Sequence, residues 1–138
     1  MNTKHSRQKA LSLVAFLMLL VATTAQAKRV VERPYFLGSN NHKLEIERVT
    51  LDKKATLLDV KIYQASGDVG IDSHASIMAN GVKYDYIGSK QLPKGVFVKV
   101  PECGYVAATL RFKPMPETTT EFDFRETADN SGWNIYGV

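Results

Sequence analysis

After residue 27 the chain alternates apolar and polar side chains with a period of two, which places successive residues on opposite faces of a strand. The segment "ATLLDVKIY" sets Leu58, Val60 and Ile62 on one face and Asp59, Lys61 and Tyr63 on the other. "YVAATLRF" does the same with Val106, Ala108, Leu110 and Phe112. In "LEIERVTL" the apolar parity changes from Leu44 and Ile46 to Val49 and Leu51, which predicts a bulge near Glu47-Arg48. "HASIMA" and "VKYDYI" flank Asn80-Gly81, the residue pair of a two-residue type I′ hairpin turn. In the second of these, Val82, Tyr84 and Tyr86 are expected on one face.

Further strands are expected over "RVVERPYF", with Pro34 suited to an edge strand, over "VFVKV" before Pro101, and in "EFDFRE" and "GWNIYG". In the last two, Phe122, Phe124, Trp133 and Ile135 are the core candidates, and Phe97 belongs to the same aromatic group. "KPMPETT" reads as a Pro-rich crossing between strands. No window after the leader has a helical period. Eight or nine short strands at this spacing predict an all-β chain, an antiparallel two-sheet β-sandwich of Ig-like or related topology, with a small barrel as the alternative.

The first 27 residues follow different rules. Lys4, Arg7 and Lys9 precede the apolar run Leu11 to Ala22, which is too short to span a bilayer, and Ala25-Gln26-Ala27 is a small-x-small cleavage pattern. They read as a cleaved signal peptide, so residues 28–138 are expected to form a single domain of an exported protein, periplasmic or extracellular. This changes the charge picture. Of the 138 residues, 18 are Lys or Arg and 14 are Asp or Glu. Residues 28–138 keep 15 of the basic residues and all 14 acids, interspersed, without the basic stripe of a nucleic-acid binder.

Candidate chemistry is sparse. Asp68, Asp72 and His74 lie close in sequence and form a weak candidate metal site, at a spacing that fits no named motif. Ser73 beside His74 is expected on the opposite strand face, unsuited to activation as a nucleophile. Glu121 and Asp123 form a carboxylate pair on one face, better explained as ordinary surface charge. The single cysteine, Cys103, has no internal disulfide partner and is a candidate intermolecular or redox-sensitive thiol. Tyr63 and Tyr105, on expected outward faces, are candidates for a ligand platform. No cofactor and no enzymatic activity are expected.

The order of these motifs resembles that of a secreted β-sandwich domain of Bacteroidetes envelope proteins, the N-terminal accessory domain of TlpA/ResA-type thiol–disulfide oxidoreductases. The resemblance covers nearly all of Val30 to Val138. It rests on Val30 to Pro34, Asn40-Asn41, "LEIERVTL", Ala55 to Val60, "NGVKY", "PECG", "RFKPMPETTTEFDFRE" and "GWNIYGV". The C-x-x-C pair of the thioredoxin-like domain that follows in that family is absent here, and Cys103 stands where the family tends to have Ser. The resemblance implies a non-catalytic accessory or scaffold module that contacts another envelope protein, such as a thioredoxin-like one, through β-augmentation near Pro34. The alternative from the residues is a glycan-binding module using Tyr63 or Tyr105.

Overall fold

The computed structural model describes residues 28–138, so the expected signal peptide lies outside the described residues. Eleven strands are present and no helix among the described residues: β1 (Arg29–Glu32), β2 (Gly38–Ser39), β3 (Leu44–Leu51), β4 (Thr56–Tyr63), β5 (Asp68–Val69), β6 (Ser76–Ala79), β7 (Val82–Gly88), β8 (Val98–Lys99), β9 (Tyr105–Phe112), β10 (Asp123–Arg125) and β11 (Asn134–Tyr136). Nine of them form one antiparallel series, β1-β3-β4-β9-β7-β6-β10-β11-β2, and β5 and β8 form a separate ribbon. The all-β antiparallel expectation therefore holds. The nine-stranded series is a curled sheet, and the β5–β8 ribbon is a small second one.

The curl has a definite cause. β7 belongs to two ladders: Val82 to Asp85 pair with β6, whereas Tyr86 and Gly88 pair with β9, with a register shift between them. One strand thus turns the sheet back on itself, and apolar faces from both halves meet in one core. Leu58, Val60 and Ile62 of β4 and Leu110 and Phe112 of β9 are buried with Ile77 of β6 and Phe124 of β10. The Phe112 ring lies 5.3 Å from Tyr86 and 6.2 Å from Phe124, edge-on to the latter. The Tyr86 hydroxyl donates to the Leu92 carbonyl, 2.9 Å away, and burial pushes its pKa up to about 12.

Local expectations fare unevenly. The β3–β4 register shifts between Ile46 and Arg48, as the parity change requires. Asn80 and Gly81 have φ of 50° and 76°, the two positive angles that a type I′ turn needs. Other expectations need correction. β1 stops at Glu32, because Arg33 adopts φ 46° and donates its N–H to the Glu47 carbonyl at 2.7 Å; Pro34 therefore lies beyond the strand. Phe97 is 72% exposed, since β8 is only two residues long and begins after it. Val82 is exposed and Trp133 only half-buried, whereas Asn134 is buried, its amide donating to the carbonyls of Asn130 and Gly132.

These placements separate two phenylalanines that look alike in sequence. Phe124→Ala should destabilise the fold by about 3–5 kcal/mol, the cost of emptying a buried aromatic site. Phe97→Ala should stay within about 0.5 kcal/mol. Urea unfolding midpoints of the two variants measure the difference, and equal losses would contradict this core.

Candidate functional site

The outward face of β1, β3, β4 and β9 carries three polar rows that cross the strands. The first row begins at Glu32, whose carboxylate accepts from Arg48 Nε at 2.7 Å. Arg48 also lies 3.7 Å from Asp59, and Asp59 accepts from the Thr109 hydroxyl at 2.5 Å. Gln91, from the loop before β8, accepts from the Thr109 amide at 3.2 Å. These residues line a shallow polar groove of about 410 Å³.

The second row is Glu47 and Lys61, 2.9 Å apart, with the Lys61 ammonium 5.2 Å from the centre of the Tyr105 ring. The hydrogen bond to Glu47 holds the Lys61 pKa above the ordinary lysine range. In the third row the Tyr63 hydroxyl donates to Glu45 at 2.9 Å, which raises the Tyr63 pKa. Tyr63 and Tyr105 are direct partners in the β4–β9 ladder, so their rings sit side by side, 5.8 Å apart and inclined at 51°. Tyr63 is exposed and Tyr105 half-buried. The candidate platform residues are therefore one contiguous pair, tilted rather than coplanar, beside a cation and two carboxylates.

The bulge at Glu47 helps to build this face. It lets consecutive residues, Glu47 and Arg48, both reach ion-pair partners on β4. Sequence reading finds the bulge but not the rows, because the rows depend on which strands are neighbours.

The other candidates are not assembled. Among the described residues no group of three or more His, Cys, Asp or Glu side chains is arranged to hold a metal. Asp68 lies in β5, opposite Lys99. Asp72, Ser73 and His74 form a turn rather than a strand, so the expected shared strand face does not exist. The Asp72 carboxylate accepts from the His74 backbone amide at 2.7 Å and contacts His74 Nδ1 at 3.0 Å. Ser73 Oγ approaches that same nitrogen at 3.4 Å. One nitrogen cannot donate to the carboxylate and accept from the serine together, so the three residues are no proton relay. Asp123 accepts from the Gly137 amide at 2.9 Å, which ties this carboxylate to the residue that follows β11. Cys103 is an exposed free thiol, 3.5 Å from the Tyr105 carbonyl.

A second surface meets the expectations drawn from the sequence only at Pro34, where a strap lies in place of the expected strand-edge contact. β1 and β2 are the two edges of the nine-stranded series, and the five residues Arg33 to Leu37 connect them as a strap across the open side of the curl. Tyr35 and Leu37 are 96% and 85% exposed, and Phe36 is exposed between them. The strap is held by the Arg33–Glu47 bond at one end and by the Leu37 amide, which donates to the Tyr136 carbonyl at 2.8 Å, at the other. Gly137 makes the second attachment feasible, because a Cβ there would lie 2.6 Å from Leu37 Cγ. Beside the strap runs a groove of about 450 Å³, walled by Val31, Val49, Leu51, Met115 and Phe122. Arg29 fixes its far wall by donating to the Glu117 and Thr119 carbonyls at 3.2 and 2.8 Å. A period-two reading treats "RPYFL" as strand, so it hides this surface.

Searches of protein-family models, curated proteins and solved structures find no match to the chain. The resemblance to an oxidoreductase accessory domain thus rests on the order of motifs alone.

One carboxylate outside both surfaces yields a pH test. Glu126 is half-buried and accepts from the Trp133 amide at 2.9 Å; burial raises its pKa. A raised folded-state pKa contributes stability below the unfolded value that is lost as pH rises through the folded one. Glu126→Gln keeps an acceptor and removes the charge. Its melting temperature relative to the unsubstituted protein should therefore rise as the pH increases from about 4 through the raised folded-state value. A flat difference across that range would contradict the assignment.

Proposed function

We propose that the protein is an exported, non-catalytic module of the cell envelope that works by binding another protein. The observation that carries this reading is the strap, where Tyr35, Phe36 and Leu37 stand exposed in succession beside an apolar groove. Consecutive exposed apolar side chains next to an apolar depression are a usual feature of contact surfaces. The backbone holds the strap at both ends, so little ordering entropy is lost when a partner docks. The motif resemblance adds that this partner is an envelope protein of the thiol–disulfide oxidoreductase class. We read the curl as a sandwich-like arrangement whose two faces are joined through β7.

Site-specific photocrosslinking in the producing cell tests this reading. A benzophenone amino acid placed at Tyr35 should capture a discrete partner, and the same probe at exposed Lys53 should not. Absence of any adduct at Tyr35, or an identical set at both positions, would refute it.

A second reading is favoured by one specific feature, the Tyr63–Tyr105 pair with Lys61 and Glu45 beside it. The apolar face of a sugar stacks on such rings, and neighbouring charged groups take its hydroxyls. Affinity electrophoresis through gels containing soluble polysaccharides should then show retardation. Tyr105→Ala should weaken it about three- to tenfold, the effect of one aromatic contact. No retardation of the unsubstituted protein in any polysaccharide gel would remove this reading.

A further inference from the structure

The edge of the sheet carries a pattern in β1 that extends beyond both surfaces above. β1 pairs with β3 on one side, and among the described residues no further strand pairs with it on the other. Amide directions alternate along an antiparallel strand. The Arg33 amide points across this ladder to Glu47, so that of Val31 does as well, and the backbone groups of Val30 and Glu32 face away from β3. Val30 and Glu32 are exposed, as is Lys28 just before the strand. Lys28, Val30 and Glu32 share one face of the extended chain; Arg29 and Val31 share the other, which borders the apolar groove.

This sequence is complementary to itself when reversed. If two copies of β1 lie antiparallel with Val30 opposite Val30, each Lys28 faces the Glu32 of the other copy. Arg29 then faces Val31, and no like charges meet. The neighbouring register, centred on Val31, places Arg29 against Arg33 and Lys28 against Pro34, so it brings two cations together and sets a residue without an N–H in the ladder. The outward-facing amide and carbonyl of Val30 are those that a pair centred on Val30 needs.

We propose that β1 is a self-association edge, pairing with β1 of a second copy of this chain about a twofold axis at Val30. The contact is isologous, so every interaction occurs twice. Two backbone hydrogen bonds join the Val30 residues. Lys28 of each copy joins the existing Glu32–Arg48 pair of the other, extending the first polar row across the twofold. Val30, exposed in one copy, packs against its symmetry mate. The edge is short and its ion pairs are solvated, so association belongs in the weak range of specific contacts, from micromolar towards millimolar. This inference is independent of the strap reading, because none of its contacts uses Tyr35, Phe36 or Leu37.

Sedimentation velocity of the purified protein between about 1 μM and about 1 mM, the span of weak specific association, tests it. A concentration-dependent monomer–dimer equilibrium is expected. Lys28→Glu and Glu32→Lys each place like charges opposite one another in both halves of the contact, and each should weaken dimerisation about tenfold or more. An equimolar mixture of the two variants should dimerise again, since every reversed charge then meets an opposite one. Thermal unfolding of each variant checks that the fold is intact. If Glu32→Lys fails to fold for loss of its Arg48 partner, Lys28→Glu against the unsubstituted protein still decides the matter. A protein that stays monomeric throughout, a dimer insensitive to the charge reversals, or a mixture no better than its components would each overturn the proposal.

Discussion

The rest of the fold depends on β7 taking part in two ladders. Its first half pairs with β6 and its last residues pair with β9, so the sheet must bend where the partner changes. Phe112 sits at that bend, with Tyr86 on one side and Phe124 on the other, and so links the two arms of the curl through aromatic contacts. The arms bring their apolar faces together only because this strand turns. The same bend sets the β1 and β2 edges close enough for five residues to span between them. Strap, groove and free edge are thus consequences of one strand's double pairing.

Much of the local structure is legible in the chain. Leu44 to Leu51 announces both its length and its bulge, since an inward-facing strand can change parity only by gaining a residue. Asn80-Gly81 announces its turn because few other residues accept two positive φ angles in succession. The inward residues of β4 and β9 are all buried. These features are decided within ten residues of sequence, where side-chain size and backbone freedom suffice.

What escapes the sequence is decided at long range. Alternation shows that Tyr63 and Tyr105 face outward, but only the β4–β9 register makes them neighbours. Alternation assigns Phe97 to the core, yet the ribbon it belongs to is too short to bury it. "RPYFL" satisfies the same pattern as a strand and is a strap, because Arg33, still bonded to Glu47 across the ladder, adopts φ 46° and turns the chain away after it. Asp72 and His74 share a spacing suited to a strand face but occupy a turn, where they satisfy each other.

The bulge in β3 also restricts how such a chain can change length. Before it, even-numbered residues point into the core; after it, odd-numbered ones do. Deleting Glu47 would leave Ile46 opposite Val60 and Arg48 opposite Asp59 in an unbroken ladder, with Leu44, Ile46, Val49 and Leu51 all still inward, but it would remove the carboxylate that pairs with Lys61. The Arg33 amide would lose its acceptor in the same event, and the strap its first anchor. Insertions and deletions in related chains are therefore expected to cluster in the connections on either side of β3, where length varies without removing these Glu47 contacts.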